Sequence, residues 1–147
     1  MLLDVAMLFK EYSTAIGVDL YGLQGFQKEL DSLPGKYALP HGELFLSRDA
    51  QGAPLGCVAV KPLPETEGAC ELKRLFVQPS ARGLGLGRKL LAAAIDWARA
   101  AGYKTMYLDS LPTLKSALAV YEDAGFSQVE KYWESPVPGV LYFAKTL

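Results

Sequence analysis

Glu71-Leu72-Lys73-Arg74-Leu75-Phe76-Val77-Gln78-Pro79-Ser80-Ala81-Arg82-Gly83-Leu84-Gly85-Leu86-Gly87-Arg88 is the stretch whose reading decides the fold. Glu71 to Val77 reads as a strand. Side chains of a regular strand alternate faces, so Leu72, Arg74 and Phe76 should oppose Glu71, Lys73, Leu75 and Val77. The apolar pattern breaks that alternation, because Leu75, Phe76 and Val77 are all apolar. Two structures explain the break: a bulge near Leu75, or a strand buried on both faces. Gly83, Gly85 and Gly87 then stand at alternate positions between the strand end and a helix start. Glycine permits positive φ and close backbone approach, and a helix start offers unpaired N–H groups at the positive end of its dipole. Together these make a cradle for phosphate.

Two familiar phosphate loops do not fit. A Walker loop ends in Gly-Lys-Ser/Thr, whereas Gly87 is followed by Arg88-Lys89-Leu90. A dinucleotide fingerprint draws some support from Asp109, roughly 20 residues on. Its G-x-G-x-x-G spacing fails in both frames, at Arg88 and at Leu90.

Working outward, Gly87 to Ala101 is predicted as an amphipathic helix through Leu90, Leu91, Ala94, Ile95 and Ala98, with Gly102 as its C-terminal stop. Thr105 to Leu108 reads as a strand, and Pro112 to Ala124 as a helix with proline in its first turn, ended by Gly125. Phe126 to Lys131 and Leu141 to Thr146 supply closing strands. Upstream, Gly42 to Arg48 and Leu55 to Lys61 form a hairpin about Gln51-Gly52, and Pro62, Pro64 and Gly68 mark a loop. Before them, apolar spacing predicts one helix through Leu2, Leu3, Ala6, Met7 and Phe9, and a second through Leu23, Phe26 and Leu30, stopping before Pro34-Gly35. Helices, an antiparallel run and a strand-helix alternation make a mixed α/β sheet covered by helices.

Composition narrows the function. The 147 residues suit one domain, 1–147, and half of them are apolar, enough for a core. With 15 basic against 16 acidic residues there is no basic excess, so no nucleic-acid partner is expected. No apolar run approaches the roughly 18 residues of a membrane span, and the start lacks a basic leader, so neither a membrane nor a secretory route is expected. Cys57 and Cys70 lack metal spacing and make a poor disulfide framework, which fits a reducing, cytoplasmic compartment and no metal.

Arg82-x-x-Gly85-x-Gly87 resembles the Q/R-x-x-G-x-G/A signature of the GNAT superfamily of N-acetyltransferases. Ala117-Leu118-Ala119-Val120-Tyr121-Glu122-Asp123-Ala124-Gly125-Phe126 looks like that family's A-x-x-L-Y-x-x-x-G-F segment. Element order matches over residues 55–130, while the first 40 residues, a region that usually shapes the acceptor site in this family, carry no decisive match. One departure stands out: Leu114 occupies a position, seven residues before the tyrosine, often held by asparagine.

The resemblance implies a GNAT-like α/β (mixed α+β) fold: a mixed, mostly antiparallel twisted sheet flanked by helices, with splayed parallel strands forming the cofactor cleft. It implies acetyl-CoA bound by Leu75, Phe76, Val77, Arg82, Gly83, Leu84, Gly85, Leu86, Gly87 and Arg88, the arginines gripping pyrophosphate. Tyr121 becomes the acid for the leaving thiolate, since a phenol keeps its proton at neutral pH. Glu71 becomes the base or an acceptor contact, acting through water or competing with a plain pairing to Lys73 or Arg74. A backbone N–H near Val77 would face the oxyanion. His41 has a suitable intrinsic pKa but reads as part of a surface turn, and neither cysteine has a base at motif spacing. The acceptor is a small-molecule or peptide amine, received directly in a ternary complex, and a homodimer is compatible with this reading. Tyr12, Tyr21, Phe26, Tyr37, Tyr132 and Trp133 are acceptor-pocket or core residues, with core favoured for each. A non-catalytic acyl-CoA-binding or sensing module would keep the loop and lose the acid, and a plain interaction domain would leave the glycines unexplained.

Overall fold

A computed structural model describes residues 1–17 and 25–147. Helix α1 (Leu2–Ile16) ends at Gly17, whose φ of 68° closes it in the left-handed region. A short α2 (Phe26–Asp31) follows. Leu23 and Tyr21, named above for the second helix and the aromatic set, lie outside the described residues. The hairpin strands are β1 (Glu43–Arg48) and β2 (Pro54–Pro62), turned by Asp49, whose Oδ1 accepts the N–H groups of Gln51 and Ala53. Then come β3 (Ala69–Val77), α3 (Leu86–Ala100), β4 (Thr105–Ser110), α4 (Lys115–Asp123), β5 (Ser127–Val129) and β6 (Leu141–Thr146).

The six strands lie in the order β1-β2-β3-β4-β6-β5. Among the described residues β3 and β4 pair in parallel, and the other neighbours are antiparallel. A parallel pair needs a crossover, and α3 is that crossover. One face of the sheet packs on α3 and α4 through Cys70, Leu72, Leu91, Met106 and Leu108. The other packs on α1 and α2 through Val5, Phe9, Phe26, Cys57, Ala59 and Phe76. No helix among the described residues is long and apolar enough to cross a membrane.

Two elements differ most from expectation, while β3 and β4 each run two residues longer, from Ala69 and to Ser110. Helix α4 starts at Lys115 rather than Pro112. The chain first closes a tight turn in which Leu114 N–H donates to Leu111 C=O, and Leu114 itself has non-helical φ/ψ. Strand β5 spans three residues rather than six, pairing Ser127, Gln128 and Val129 with Ala144, Phe143 and Tyr142. Beyond it the chain turns away, Tyr132 to bond Glu71 and Lys131 to pair with Glu134.

The irregularity in β3 is a bulge, and the strand is also buried on both faces, so both explanations of the apolar run hold. Cys57 faces Phe76 and Ala59 faces Lys73, leaving Arg74 and Leu75 against the single residue Val58. Arg74 takes φ 62°, rare for a side chain with a Cβ. One extra residue shifts the phase of a period-two pattern. Cys70 and Leu72 therefore share the α3 face with Leu75 and Val77, while Phe76 packs in the opposite cluster.

Candidate functional site: a forked sheet and two joined cavities

Strands β3 and β4 pair through Ala69–Thr105, Cys70–Met106 and Glu71–Tyr107, and then part. Past the fork β4 continues along β6 to Ser110, while the β4-facing edge of β3 from Leu72 onward has no strand partner among the described residues. A groove of about 660 Å³ opens there, within the range for ligand sites. Leu75, Phe76 and Val77 form one wall, and Leu114 with Ser116, Ala117 and Val120 of α4 forms the other.

At the outer end lies the glycine loop. Gly83 and Gly85 have φ of 84° and 75°, so both positions require glycine for backbone reasons. The backbone N–H groups of residues 83–88 donate to no described residue, and intrahelical bonding starts with Lys89 N–H to Gly85 C=O. Six donors at a helix start, without an acceptor among the described residues, have the geometry that suits an anion. Arg82 lines the groove. Its Nε donates to Val77 C=O at 3.0 Å, which fixes the guanidinium beside the loop. Arg88 also lines it but is paired with Asp123 of α4 at 2.8 Å, both side chains being more than half exposed. Of the ten residues expected to bind cofactor, nine line the groove. Leu84 is the exception, 67% exposed and outside the lining.

The groove leads into an inner chamber, with Tyr12, Ile16, Leu75, Leu114 and Ala117 shared between the two. Tyr121 lines this chamber from α4. Its ring packs edge-on against Phe126 at 5.9 Å, and its hydroxyl has no hydrogen-bond partner among the described residues. Burial, helped by Tyr12 and Asp109, pushes its pKa well above the usual phenol value, so it holds its proton throughout the neutral range. From β3 come Lys73 and Arg74, brought together by the bulge, and from β4 Asp109 and Ser110. Arg74 is paired through Nε and an Nη to Glu29 of α2 at 3.0 and 3.1 Å, and sits over the rings of Tyr12 and Phe26.

Glu71 lines neither cavity. It is 3% exposed, accepts a hydrogen bond from the Tyr132 hydroxyl and pairs with Lys61 of β2 at 3.3 Å. Its cationic partner is thus the residue directly opposite on the neighbouring strand, not Lys73 or Arg74. His41 lies away from both cavities, where its backbone carbonyl accepts the Tyr103 hydroxyl. Burial pushes the Cys57 and Cys70 thiols up to about 12, too high for nucleophiles at neutral pH. Phe26 and Tyr37 are core, whereas Tyr12 lines both cavities. Leu114, in place of the usual asparagine, lines both as well. Thr113 and Ser116 beside it also line the groove, and α4 lacks a side-chain cap. Lys73, Asp109 and Ser116 were not singled out as site residues from sequence. The signal for Ser116 was its place in the first turn of a helix next to the motif.

The Acetyltransferase (GNAT) family profile matches residues 9–126. An uncharacterized N-acetyltransferase from Schizosaccharomyces pombe is 42% identical over 139 residues, covering 95% of this chain and 84% of its own. An acetyltransferase structure from Streptococcus agalactiae superposes with a TM-score of 0.81 at 20% identity, covering 99% of this chain and 91% of that one. The yncA protein of Salmonella typhimurium, solved with its cofactor acetyl-CoA, gives 0.66 at 20% identity, covering 82% and 73%. The overall fold is therefore shared with acetyltransferases, and this chain belongs to the GNAT family of N-acetyltransferases.

Proposed function

We propose that the protein moves the acetyl group of acetyl-CoA to a primary amine of a small-molecule or peptide acceptor, directly, in a ternary complex. The observation that carries this is the continuity of the groove. It runs from six free N–H groups at the α3 start, along the unpaired edge of β3, to the chamber lined by Tyr121.

In this reading the amides of residues 83–88 and Arg82 take the pyrophosphate. The open edge at Leu75–Val77 bonds the amides of the cofactor arm. Thr113 and Ser116 supply the polar contacts that Leu114 cannot. The amine attacks the thioester carbonyl, the C–N bond forms, and the oxyanion is met by a backbone N–H near Val77. The C–S bond then breaks. Tyr121 gives its proton to the thiolate and recovers one from the acceptor nitrogen through solvent. Glu71, outside both cavities and hydrogen-bonded by Tyr132, takes the amine proton through intervening water. The two buried, unpaired thiols suit a reducing, cytoplasmic setting, and residues 1–147 act as one acetyltransferase domain.

A thermal-shift pair tests the reading. Acetyl-CoA should raise Tm in a concentration-dependent way and NAD should not. Stabilisation by NAD alone would reverse the assignment. Thiol release with a panel of amines then separates an enzyme from an acyl-CoA sensor, which would bind without turnover.

A further inference from the structure

Resting on that reading, we propose that the acceptor is an apolar amino carboxylate, its carboxylate held by the ammonium of Lys73 and its amino group by Asp109. Lys73 lines the inner chamber and is 8% exposed, yet its ammonium has no ion pair or hydrogen bond with any described residue. The Nζ lies over the ring of Trp133, 5.6 Å from its centroid. A buried ammonium left unpaired is costly.

The surrounding cations are already matched. Lys61 pairs with Glu71, while Arg74 and Lys36 share Glu29. Lys73 alone among these four lacks a carboxylate within 4.0 Å. Asp109 faces the same chamber from β4. Its Oδ2 accepts the Trp133 indole N–H at 2.9 Å, and Oδ1 accepts from no described residue.

The chamber therefore shows one unmatched cation and one half-used carboxylate that do not pair with each other. A zwitterion matches both. A simple amine would leave Lys73 unmatched, and a diamine would bring a second positive charge against it, which is unfavourable. Burial already pushes the Lys73 pKa down, opposed by the Glu71 and Asp109 charges; an incoming carboxylate would restore its charged form. Leu111, Val137 and Val140 add an apolar wall beside Arg74 and Ser110; the chamber itself is about 50 Å³, so an apolar amino-acid side chain would extend toward the groove across the shared residues Ile16, Leu75, Leu114 and Ala117.

The test compares L-phenylalanine, L-phenylalaninamide and phenethylamine, and likewise L-leucine and isoamylamine, as acceptors for the full chain with acetyl-CoA, read by thiol release. The amino acids should exceed the amide and the amines by about 100-fold in kcat/KM. In Lys73→Met that preference should fall below about tenfold, mainly through KM, and Lys73→Arg should recover part of it. Acetyl-CoA binding by calorimetry checks that each variant is folded, and the wild-type panel decides even if none is. Equal or better use of the amide or amines overturns the proposal, as does an undiminished preference in a folded Lys73→Met. So does the absence of turnover with either amino acid by a protein that binds acetyl-CoA. Absence of acetyl-CoA binding would instead refute the acetyltransferase reading itself.

Discussion

Glu29→Gln tests whether charge pairing fixes the bulge in β3. Glu29 is held by Arg74 at 3.0 Å and by Lys36 at 2.9 Å, with the Glu29 and Arg74 side chains 7% and 3% exposed. Burial alone would raise its pKa, but Arg74, aided by Lys36, outweighs burial and lowers it from 4.5 to about 2. At about 1.4 kcal/mol for each tenfold change in proton affinity, that gap corresponds to about 3 kcal/mol. The same size is expected when one partner of a buried pair is removed, roughly 3–5 kcal/mol. Because the folded value is the depressed one, the contribution is fully present above the unfolded value of about 4.5 and is lost as pH falls toward 2. Urea denaturation of wild type and Glu29→Gln at pH 7 should differ by about 3 kcal/mol, or roughly 6–12 °C in Tm. By pH 3 the gap should have shrunk to about half, because the carboxylate is by then protonated in the unfolded chain while still largely ionised in the folded one. A gap of equal size at both pH values would refute the reasoning, because a lost shape complementarity does not titrate.

Tyr121→Phe keeps the ring against Phe126 and removes the hydroxyl, so acetyl-CoA affinity by calorimetry should hold while kcat falls roughly 10²–10⁴-fold; full activity would move the acid to a bound water. Gly85→Val should weaken CoA binding strongly in titration, since φ 75° is strained for a β-branched residue and relieving that strain would move the loop backbone that carries the free amides. Gly87→Ala should be mild in the same assay, because its φ is ordinary and the added Cβ would lie 3.9 Å from Val77. Equal losses in the two variants would mean that the anion is held elsewhere.

The glycine loop was legible because a strand-to-helix turn with φ-demanding positions leaves a spacing that survives without coordinates. Tyr121 was legible by its distance from Gly125-Phe126, and the helix that carries it by its apolar stripe. Most element boundaries followed from changes of period. Lys73 was not legible as a chamber residue. In a regular strand Lys73 and Arg74 take opposite faces, and a one-residue bulge brings them together. The apolar run Leu75–Val77 pointed to a bulge near Leu75 or to a strand buried on both faces, but not to which side chains the bulge would bring together. Glu71 was read against its neighbours in sequence, yet its ion pair is set by β2–β3 register, which no local pattern specifies. The start of α4 was misplaced because Pro112 suits a first helical turn as well as the tight turn that actually precedes the helix.

The fork in the sheet has a mechanical consequence. The β1-β2-β3 ribbon and the β4-β6-β5 ribbon are riveted by three residue pairs at 69–71 and 105–107. Past the rivet, two backbone edges face each other with nothing strung between them. A ligand arm carrying amides is, to such a sheet, a substitute strand. When it enters, it supplies the cross-links that would otherwise require a seventh segment of chain. Amide hydrogens on β3 beyond Leu72 should then slow their exchange with solvent, and the two ribbons should breathe as one body rather than two. The molecule gains its ligand site by leaving its own sheet unfinished.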